Sequence, residues 1–371
     1  MDRRQFLAAG GAAAAAGLAG CRSMFQTRSA RSPPLVEDRP DAVYYPTHVE
    51  GMKMVGATEA GDYGVALTYS FPHRFWLVDG EETTKVAVRG EDSLHMMSVV
   101  WDRETGTVVP NSSIKTTVSA DGEVVAEKPL WSMLSQNMGV HAGDNIALDG
   151  DGTYEVDLEI GPVSARRTGA VADRFDELTT ASFTLAFRQS TLEDISFERL
   201  PDKQGEKGAV EGMEMGDVPV ARAPDPDSLP GTAVGTAESG GARVVAVRLS
   251  TPPAGVGRED ESENESAGES ESESAGESES GYLAVSPRTP YNQYPLAFTT
   301  VSATVTREGD EVFAGRLDPT FDPDLGYHYG GVADLASGDD LTLSVDLPPQ
   351  LARHEGYETA FLSFEDVSMT V

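Results

Sequence analysis

The chain has very little cysteine and very little lysine. Its 371 residues include one cysteine, Cys21, and six lysines. A lone cysteine excludes an intrachain disulfide, a zinc knuckle and an iron–sulfur cluster. The scarcity of lysine belongs to a wider deficit of positive charge, because 28 Lys and Arg face 61 Asp and Glu and the formal net charge is −33. A chain this acidic repels phosphate backbones and anionic lipid headgroups, which excludes nucleic acid as a partner and electrostatic docking to a membrane.

The acidic excess is typical of a halophilic protein. At high ionic strength, screening shortens the range of the repulsion among carboxylates that would otherwise oppose folding. The hydrophobic fraction of 39% is still large enough to fill a core, so the charge does not indicate a disordered chain. We therefore expect a folded protein adapted to high salt.

Apolar runs long enough to span a bilayer are also missing, since none reaches about 18 residues. The N-terminus instead carries a twin-arginine start at Arg3 and Arg4, a short apolar run, and a Leu-Ala-Gly-Cys sequence that resembles the lipobox of bacterial and archaeal lipoproteins. In such proteins the cysteine, here Cys21, is lipidated and becomes the mature N-terminus. We expect residues 1–21 to be an export signal and residues 22–40 to be a tether. The mature protein would then be anchored by lipid to the outer face of the cytoplasmic membrane.

From residue 41 onward the chain shows short β-type runs separated by turn signals. Examples are residues 64–70, 153–160 and 182–187, which are rich in β-branched and aromatic residues. No apolar stripe with the 3.6-residue period of a helix extends beyond a few turns. The pattern predicts an all-β fold.

The chain also repeats itself. Several segments of its first part recur later in the same order, which indicates a duplication. The clearest pairs are residues 49–54 with 210–215, 117–125 with 304–312, and 139–143 with 326–330. We predict two similar β-sandwich domains at about residues 41–190, called the first half below, and residues 196–371, called the second half.

The second half carries a low-complexity insertion. Residues 258–280 consist largely of Glu, Ser, Ala and Gly and include ten acidic residues. A segment this polar has almost nothing to bury, so we expect a disordered, solvated loop.

Familiar catalytic signatures are missing from the sequence, and we expect no enzyme activity. What stands out is methionine close to histidine, with six of the eleven methionines between residues 52 and 138. Imidazole and thioether together form a soft to borderline donor set that suits copper and tolerates iron or zinc. The alternative is that inward-facing methionine simply fills the core.

One stretch of the first half resembles a known family. Residues 131–146, Trp-Ser-Met-Leu-Ser-Gln-Asn-Met-Gly-Val-His-Ala-Gly-Asp-Asn-Ile, and residues 152–162 are similar to the periplasmic iron-uptake lipoproteins. The most specific feature is a Met followed seven or eight residues later by His-x-Gly. Members of that family are immunoglobulin-like β-sandwich proteins that bind copper and iron and work beside iron permeases. The resemblance therefore implies two tandem immunoglobulin-like β-sandwich domains.

The same resemblance implies a metal site in the first half. Met133 and His141 match the family's ligands, and His95 matches the histidine of its Asp-x-His strand with one extra residue. Met97 stands where the family has Glu. We expect these four residues to form a site that is richer in sulfur and poorer in charge than the family pattern.

The second half keeps a different subset of these residues. The family's last histidine falls at Arg166 or Arg167 in the first half, so that ligand is missing there, whereas His354 fills the corresponding place in the second half. His328 matches His141, which suggests a weaker second site made of His328 and His354. A structural role for these two histidines is the alternative reading, and His73, at a strand end, is expected to be structural.

The sequence therefore predicts a lipid-anchored extracytoplasmic protein that binds copper or iron and supports iron uptake. An iron permease or another membrane transporter is the expected partner. Formation of a homodimer is a further possibility that the sequence does not decide. The alternative is a cell-surface β-sandwich without metal that serves as a non-catalytic interaction module.

Overall fold

β-Strands form nearly all of the regular structure. The computed structural model describes residues 31–110, 112–256 and 281–371. The predicted export signal with Arg3, Arg4 and Cys21, and the predicted insertion at 258–280, lie outside the described residues. The strands of the described part, in chain order, are β1 (His48–Glu50), β2 (Lys53–Ala60), β3 (Tyr63–Ser70), β4 (Phe75–Asp79), β5 (Glu82–Val86), β6 (Asp92–Asp102), β7 (Ser112–Ala120), β8 (Glu123–Ser135), β9 (Gly139–Ala147), β10 (Gly152–Val163), β11 (Arg166–Arg167), β12 (Thr179–Phe187), β13 (Phe197–Arg199), β14 (Thr232–Ser239), β15 (Ala242–Leu249), β16 (Tyr282–Arg288), β17 (Thr300–Arg307), β18 (Asp310–Asp322), β19 (Gly326–Val332), β20 (Asp340–Leu347), β21 (Ala352–Arg353) and β22 (Val367–Thr370).

Helical structure is sparse. The described residues contain one short α-helix, α1 (Gln189–Glu193), and two single-turn 3-10 helices, Gly169–Val171 and Pro226–Ser228. No helix in these residues has the length and the apolar character needed to cross a bilayer. The prediction of an all-β fold is confirmed.

Two sheets form two sandwich-like bodies. The first sheet follows the strand order β12-β10-β7-β8-β9-β6-β3-β2, and the second follows β22-β20-β17-β18-β19-β16-β15-β14. The two orders correspond strand for strand, with β8 and β9 in the first sheet at the places of β18 and β19 in the second. The edge strand β12 alternates buried and exposed residues, whereas every residue of β3, which lies between β6 and β2, is buried.

Each half contributes one short strand to the sheet of the other half. β21, from the second half, pairs in parallel with β8 through Ala352 opposite Met133. β11, from the first half, pairs in parallel with β18 through Arg166 opposite Thr320. This exchange joins the halves, and residues 36–371 form one compact unit. It also places His354, the residue after β21, beside Met133.

Candidate metal site

Four histidines and one methionine meet beside β8. We call this group the histidine cluster; its members are His73, His95, Met133, His141 and His354. The ring centroids of His73 and His95 lie 4.0 Å apart, those of His73 and His354 4.8 Å, and those of His141 and His354 5.2 Å. Nε2 of His354 lies 3.4 Å from Sδ of Met133. His73, His95 and His354 each offer a ligand atom within 4.8 Å of the other two, which suits a single metal ion.

The sheet register explains how the first-half members meet. Met133 on β8 lies directly opposite His141 on the antiparallel strand β9, and β9 also pairs with β6, which carries His95. Gly143 on β9 leaves open the space between His95 and Met133. A Cβ atom at Gly143 would lie 3.0 Å from Nε2 of His95 and 3.2 Å from Sδ of Met133. A side chain at this position would therefore press into the cluster.

The remaining two members arrive from loops. Ser70, the last residue of β3, pairs with His95, and His73 follows it three residues later. His354 is held by its own backbone, because its N–H donates to the carbonyl of Leu134 at 3.1 Å. The buried guanidinium of Arg353 donates to the carbonyls of Pro349 at 2.8 Å and Ala360 at 2.6 Å, and thereby fixes the loop that carries His354.

Hydrogen bonds at Nδ1 set the tautomer of three of the rings. Nδ1 of His95 lies 2.9 Å from Oδ1 of Asn145, and Nδ1 of His141 lies 3.0 Å from the carbonyl oxygen of Gly139. Nδ1 of His73 lies 3.3 Å from Oε2 of Glu50. All three partners are acceptors, so each Nδ1 carries the proton and each Nε2 is left with a lone pair.

Those lone pairs have no protein partner. Nε2 of His73, His95 and His141 is buried in each case and has no hydrogen-bond partner among the described residues. A buried polar atom left unsatisfied costs about 1–3 kcal/mol, so three of them together need an explanation. Histidines that ligate a metal typically donate from the second ring nitrogen to a carboxylate, carbonyl or amide oxygen, which is the arrangement at all three rings. The residues present therefore fit a metal ion.

Burial keeps three rings of the cluster uncharged. It lowers the pKa of His95 and of His354 well below the usual range, with a smaller contribution from neighbouring histidines. It also lowers the pKa of His141 to about 4. Near neutral pH these rings are neutral, so a metal ion can take their lone pairs without first displacing a proton.

Glu50 supplies a negative charge at the edge of the cluster. Its Oε1 lies 2.9 Å from Nε2 of His48, its Oε2 lies 3.3 Å from Nδ1 of His73, and the hydroxyl of Ser70 donates to it at 3.1 Å. Burial alone would raise the pKa of Glu50, but the interactions with His73 and His48, including a hydrogen bond from each, lower it to about 2. The carboxylate therefore stays ionised and offsets part of the charge of a bound cation.

The structure brings together part of the predicted site. His95, Met133 and His141 are members of the cluster, and His354 joins them instead of pairing with His328. Met97 is buried in the main apolar core, two residues along β6 from His95.

The structure differs from the sequence-based expectations at two further positions. His73, expected to be structural, points its free Nε2 into the buried interior beside His95. From the sequence, Arg166 or Arg167 was expected to correspond to His354. The strand register instead makes Thr168 the counterpart of His354. The N–H of Thr168 donates to the carbonyl of Phe321, and the N–H of His354 donates in the same way to the carbonyl of Leu134. Arg167 forms an ion pair with Asp176.

Two family models match separate parts of the chain. Residues 98–193 match the family model of an Fe2+ transport protein, and residues 227–370 match that of a domain of unknown function (DUF7350). The segment that matches the Fe2+ transport model is similar to an iron-transport-associated family. It contains Met133 and His141 and begins three residues after His95.

Two solved structures of FetP from uropathogenic Escherichia coli are similar at low identity. The protein as isolated is 19% identical, with 38% of this chain and 96% of that chain covered and a TM-score of 0.29. A copper-bound variant is also 19% identical, with 37% and 97% covered and a TM-score of 0.29. No curated protein sequence matches the chain.

Proposed function

We propose that this protein binds one copper or iron ion at the histidine cluster and supports iron uptake outside the cytoplasm. The observation that carries the proposal is the set of three buried Nε2 atoms without partners, each on a ring whose Nδ1 is fixed by an acceptor. The match of residues 98–193 to an Fe2+ transport protein supports the link to iron.

The donor set favours copper over a harder ion. Four imidazoles and one thioether are soft to borderline ligands, and the carboxylate of Glu50 faces Nδ1 of His73 rather than Nε2. Copper(I) and copper(II) both accept imidazole, while the Met133 thioether favours copper(I). Fe(II) is compatible with the imidazoles but gains less from the sulfur.

Partial exposure of two ligands suits a protein that passes its ion on. His95 and His141 are buried, whereas His73 and His354 are half-buried. An ion can therefore reach the cluster, and leave it, from the side of His73 and His354. We propose a membrane transporter for iron as the recipient or the functional partner.

The location is part of the proposal. Arg3, Arg4 and the lipobox-like sequence ending at Cys21 support export of the folded chain and attachment by lipid to the outer face of the cytoplasmic membrane. Replacing Cys21 by Ser should release the protein into the medium, as followed by fractionation and immunoblotting. Unchanged membrane association of the Cys21→Ser variant would contradict the anchor.

Metal titration of the mature protein in high salt tests the binding function. Copper(I), copper(II) and Fe(II) should each be titrated into the wild type, with about one equivalent of copper expected. Met133→Leu should weaken copper(I) binding more than copper(II) binding, because only the thioether is lost. Met138→Leu is the matched control, since Met138 is buried in the main core. A wild type that binds none of the three ions would instead favour a cell-surface module without metal.

A further inference from the structure

The strands that position the histidine cluster, β6, β8, β9 and β21, have counterparts in the second half. Met133 on β8 lies opposite His141 on β9, and Thr320 on β18 lies opposite His328 on β19. Because β18 and β19 hold the same places in the second sheet as β8 and β9 in the first, Thr320 corresponds to Met133 and His328 to His141.

The same register identifies the other counterparts. Met97 on β6 lies opposite Gly143, and Ala284 on β16 lies opposite Gly330, so Met97 and Ala284 correspond. The residue two positions before Met97 is His95, and the residue two positions before Ala284 is Tyr282. On the exchanged strands, the N–H groups of His354 and Thr168 donate to equivalent carbonyls, at 3.1 Å in both cases. Tyr282 therefore replaces His95, and Thr168 replaces His354.

His328 keeps the local setting of a ligand. Its Nδ1 lies 3.0 Å from the carbonyl oxygen of Gly326, just as Nδ1 of His141 lies 3.0 Å from that of Gly139. The tautomer is therefore the same, with the lone pair on Nε2. What differs is the partner of that lone pair.

In the second half the lone pair is already used. The hydroxyl of Tyr282 donates to Nε2 of His328 at 3.1 Å, and it lies 3.5 Å from Oγ1 of Thr320. Thr168 donates from Oγ1 to Oδ2 of Asp322 at 2.8 Å. None of these four side chains has a buried polar atom without a partner among the described residues, in contrast to the histidine cluster.

The phenol also fills the space. A Cβ atom at Gly330 would lie 1.8 Å from the hydroxyl oxygen of Tyr282, whereas one at Gly143 would still be 3.0 Å from Nε2 of His95. The longer Tyr282 side chain reaches further across β19 than an imidazole does. Burial raises the pKa of Tyr282 to about 12, so the group is a neutral donor and not a phenolate ligand.

We infer that the second half has a closed counterpart of the metal site that takes no ion, in which the hydroxyl of Tyr282 is bonded to His328 and Thr320, and the hydroxyl of Thr168 is bonded to Asp322. The chain then binds one ion, and the second half serves that site by supplying His354 across the exchanged strand β21. The inference rests on the proposed function of the histidine cluster.

Stoichiometry of the full mature chain tests the inference, with copper(I) and copper(II) as probes in high salt. The wild type and His328→Ala should both bind about one equivalent, while His354→Ala should lose most of the binding. A second equivalent in the wild type, or binding that is lost in His328→Ala, would overturn the closed site. A wild type that binds no copper but whose Fe(III) binding depends on Tyr282 and His328 would overturn both the inference and the soft-ion proposal.

Reopening the site provides an independent test. The triple variant Thr168→His, Tyr282→His, Thr320→Met should bind a second equivalent of copper, because it places counterparts of His354, His95 and Met133 beside His328. Tyr282→Phe is the control, which keeps the ring but adds no ligand and should leave the stoichiometry at one. Thermal unfolding in the same salt reports whether the triple variant is folded. A folded triple variant that still binds one equivalent would contradict the assigned correspondence, even if the wild type binds its single ion as proposed.

Discussion

Nε2 of His354 lies 3.4 Å from Sδ of Met133, although 221 residues separate the two along the chain. The contact exists because β21 pairs with β8 and delivers His354 from the second half to the cluster of the first. The candidate site is thus completed only when both halves are folded and joined. Metal affinity should then report on the exchange of β21 as well as on the ligands.

Replacing His354 by Ala should weaken copper binding by at least about 100-fold. Loss of an outer partner alone typically costs about 10–100-fold in metal affinity, and His354 offers a ligand atom directly. Competition with a chelator of known affinity measures the change. Nearly unchanged affinity in His354→Ala would show that the first half holds the ion alone.

Asn145 should matter to metal binding although it offers no ligand atom to the cluster. Its Oδ1 accepts from Nδ1 of His95 at 2.9 Å, and its Nδ2 donates to the carbonyl of His73 at 3.0 Å. Asn145→Ala should weaken copper binding about 10–100-fold, because the ring of His95 and the backbone of His73 lose the bonds that position them. Asn145→Asp keeps the acceptor for His95 and should recover part of the loss. Equal affinities for wild type and Asn145→Ala would contradict this positioning role.

The fold class was predictable because it depends on local pattern. Alternating segments such as residues 182–187 became the strand β12, with buried Phe183, Leu185 and Phe187 on one face. The candidate ligands Met133 and His141 were recognised through a family resemblance that rests on a local spacing, and both lie on adjacent strands of one hairpin.

The rest of the site depends on contacts between distant parts of the chain. Nothing in the sequence near His354 states that β21 pairs with β8 of the first half rather than with a strand of its own half. The one-residue error between Arg167 and Thr168 has the same origin, because the sequence match carried no information on strand register. His73 follows Ser70, the strand partner of His95, by three residues. This position indicates that His73 lies near His95, but only when the pairing of β3 with β6 is known.

Acid should destabilise the metal-free protein by protonating His141 in the unfolded chain. The pKa of His141 is lowered to about 4 by burial, so between its unfolded value of about 6.5 and pH 4 the unfolded chain binds a proton that the folded chain does not. Stability is therefore fully present above about pH 6.5 and falls as the pH is lowered, by about 1.4 kcal/mol per pH unit for this one group.

Urea or guanidinium unfolding of the metal-free protein from pH 7.5 to 4.5, at constant salt, measures this dependence. His141→Gln should reduce the slope by the contribution of one proton, because glutamine does not titrate. A slope that is the same in wild type and His141→Gln would show that His141 is not held neutral by burial. Saturating copper should steepen the wild-type dependence, since protons in the unfolded chain then also compete with the ion.

Gly143→Ala should remove metal binding while the protein stays folded. The added methyl would lie 3.0 Å from Nε2 of His95 and 3.2 Å from Sδ of Met133, so both ligand atoms must shift. Its distance of 3.0 Å from the carbonyl oxygen of Met96 adds local strain, and overpacking of this kind costs about 1–3 kcal/mol. Gly56→Ala is the matched control, because a methyl at that strand position meets the ring of Phe183 at an ordinary 3.5 Å. Copper titration and thermal unfolding of both variants separate the two effects. A Gly143→Ala protein that binds copper as tightly as Gly56→Ala would mean that the ion does not lie between His95 and Met133.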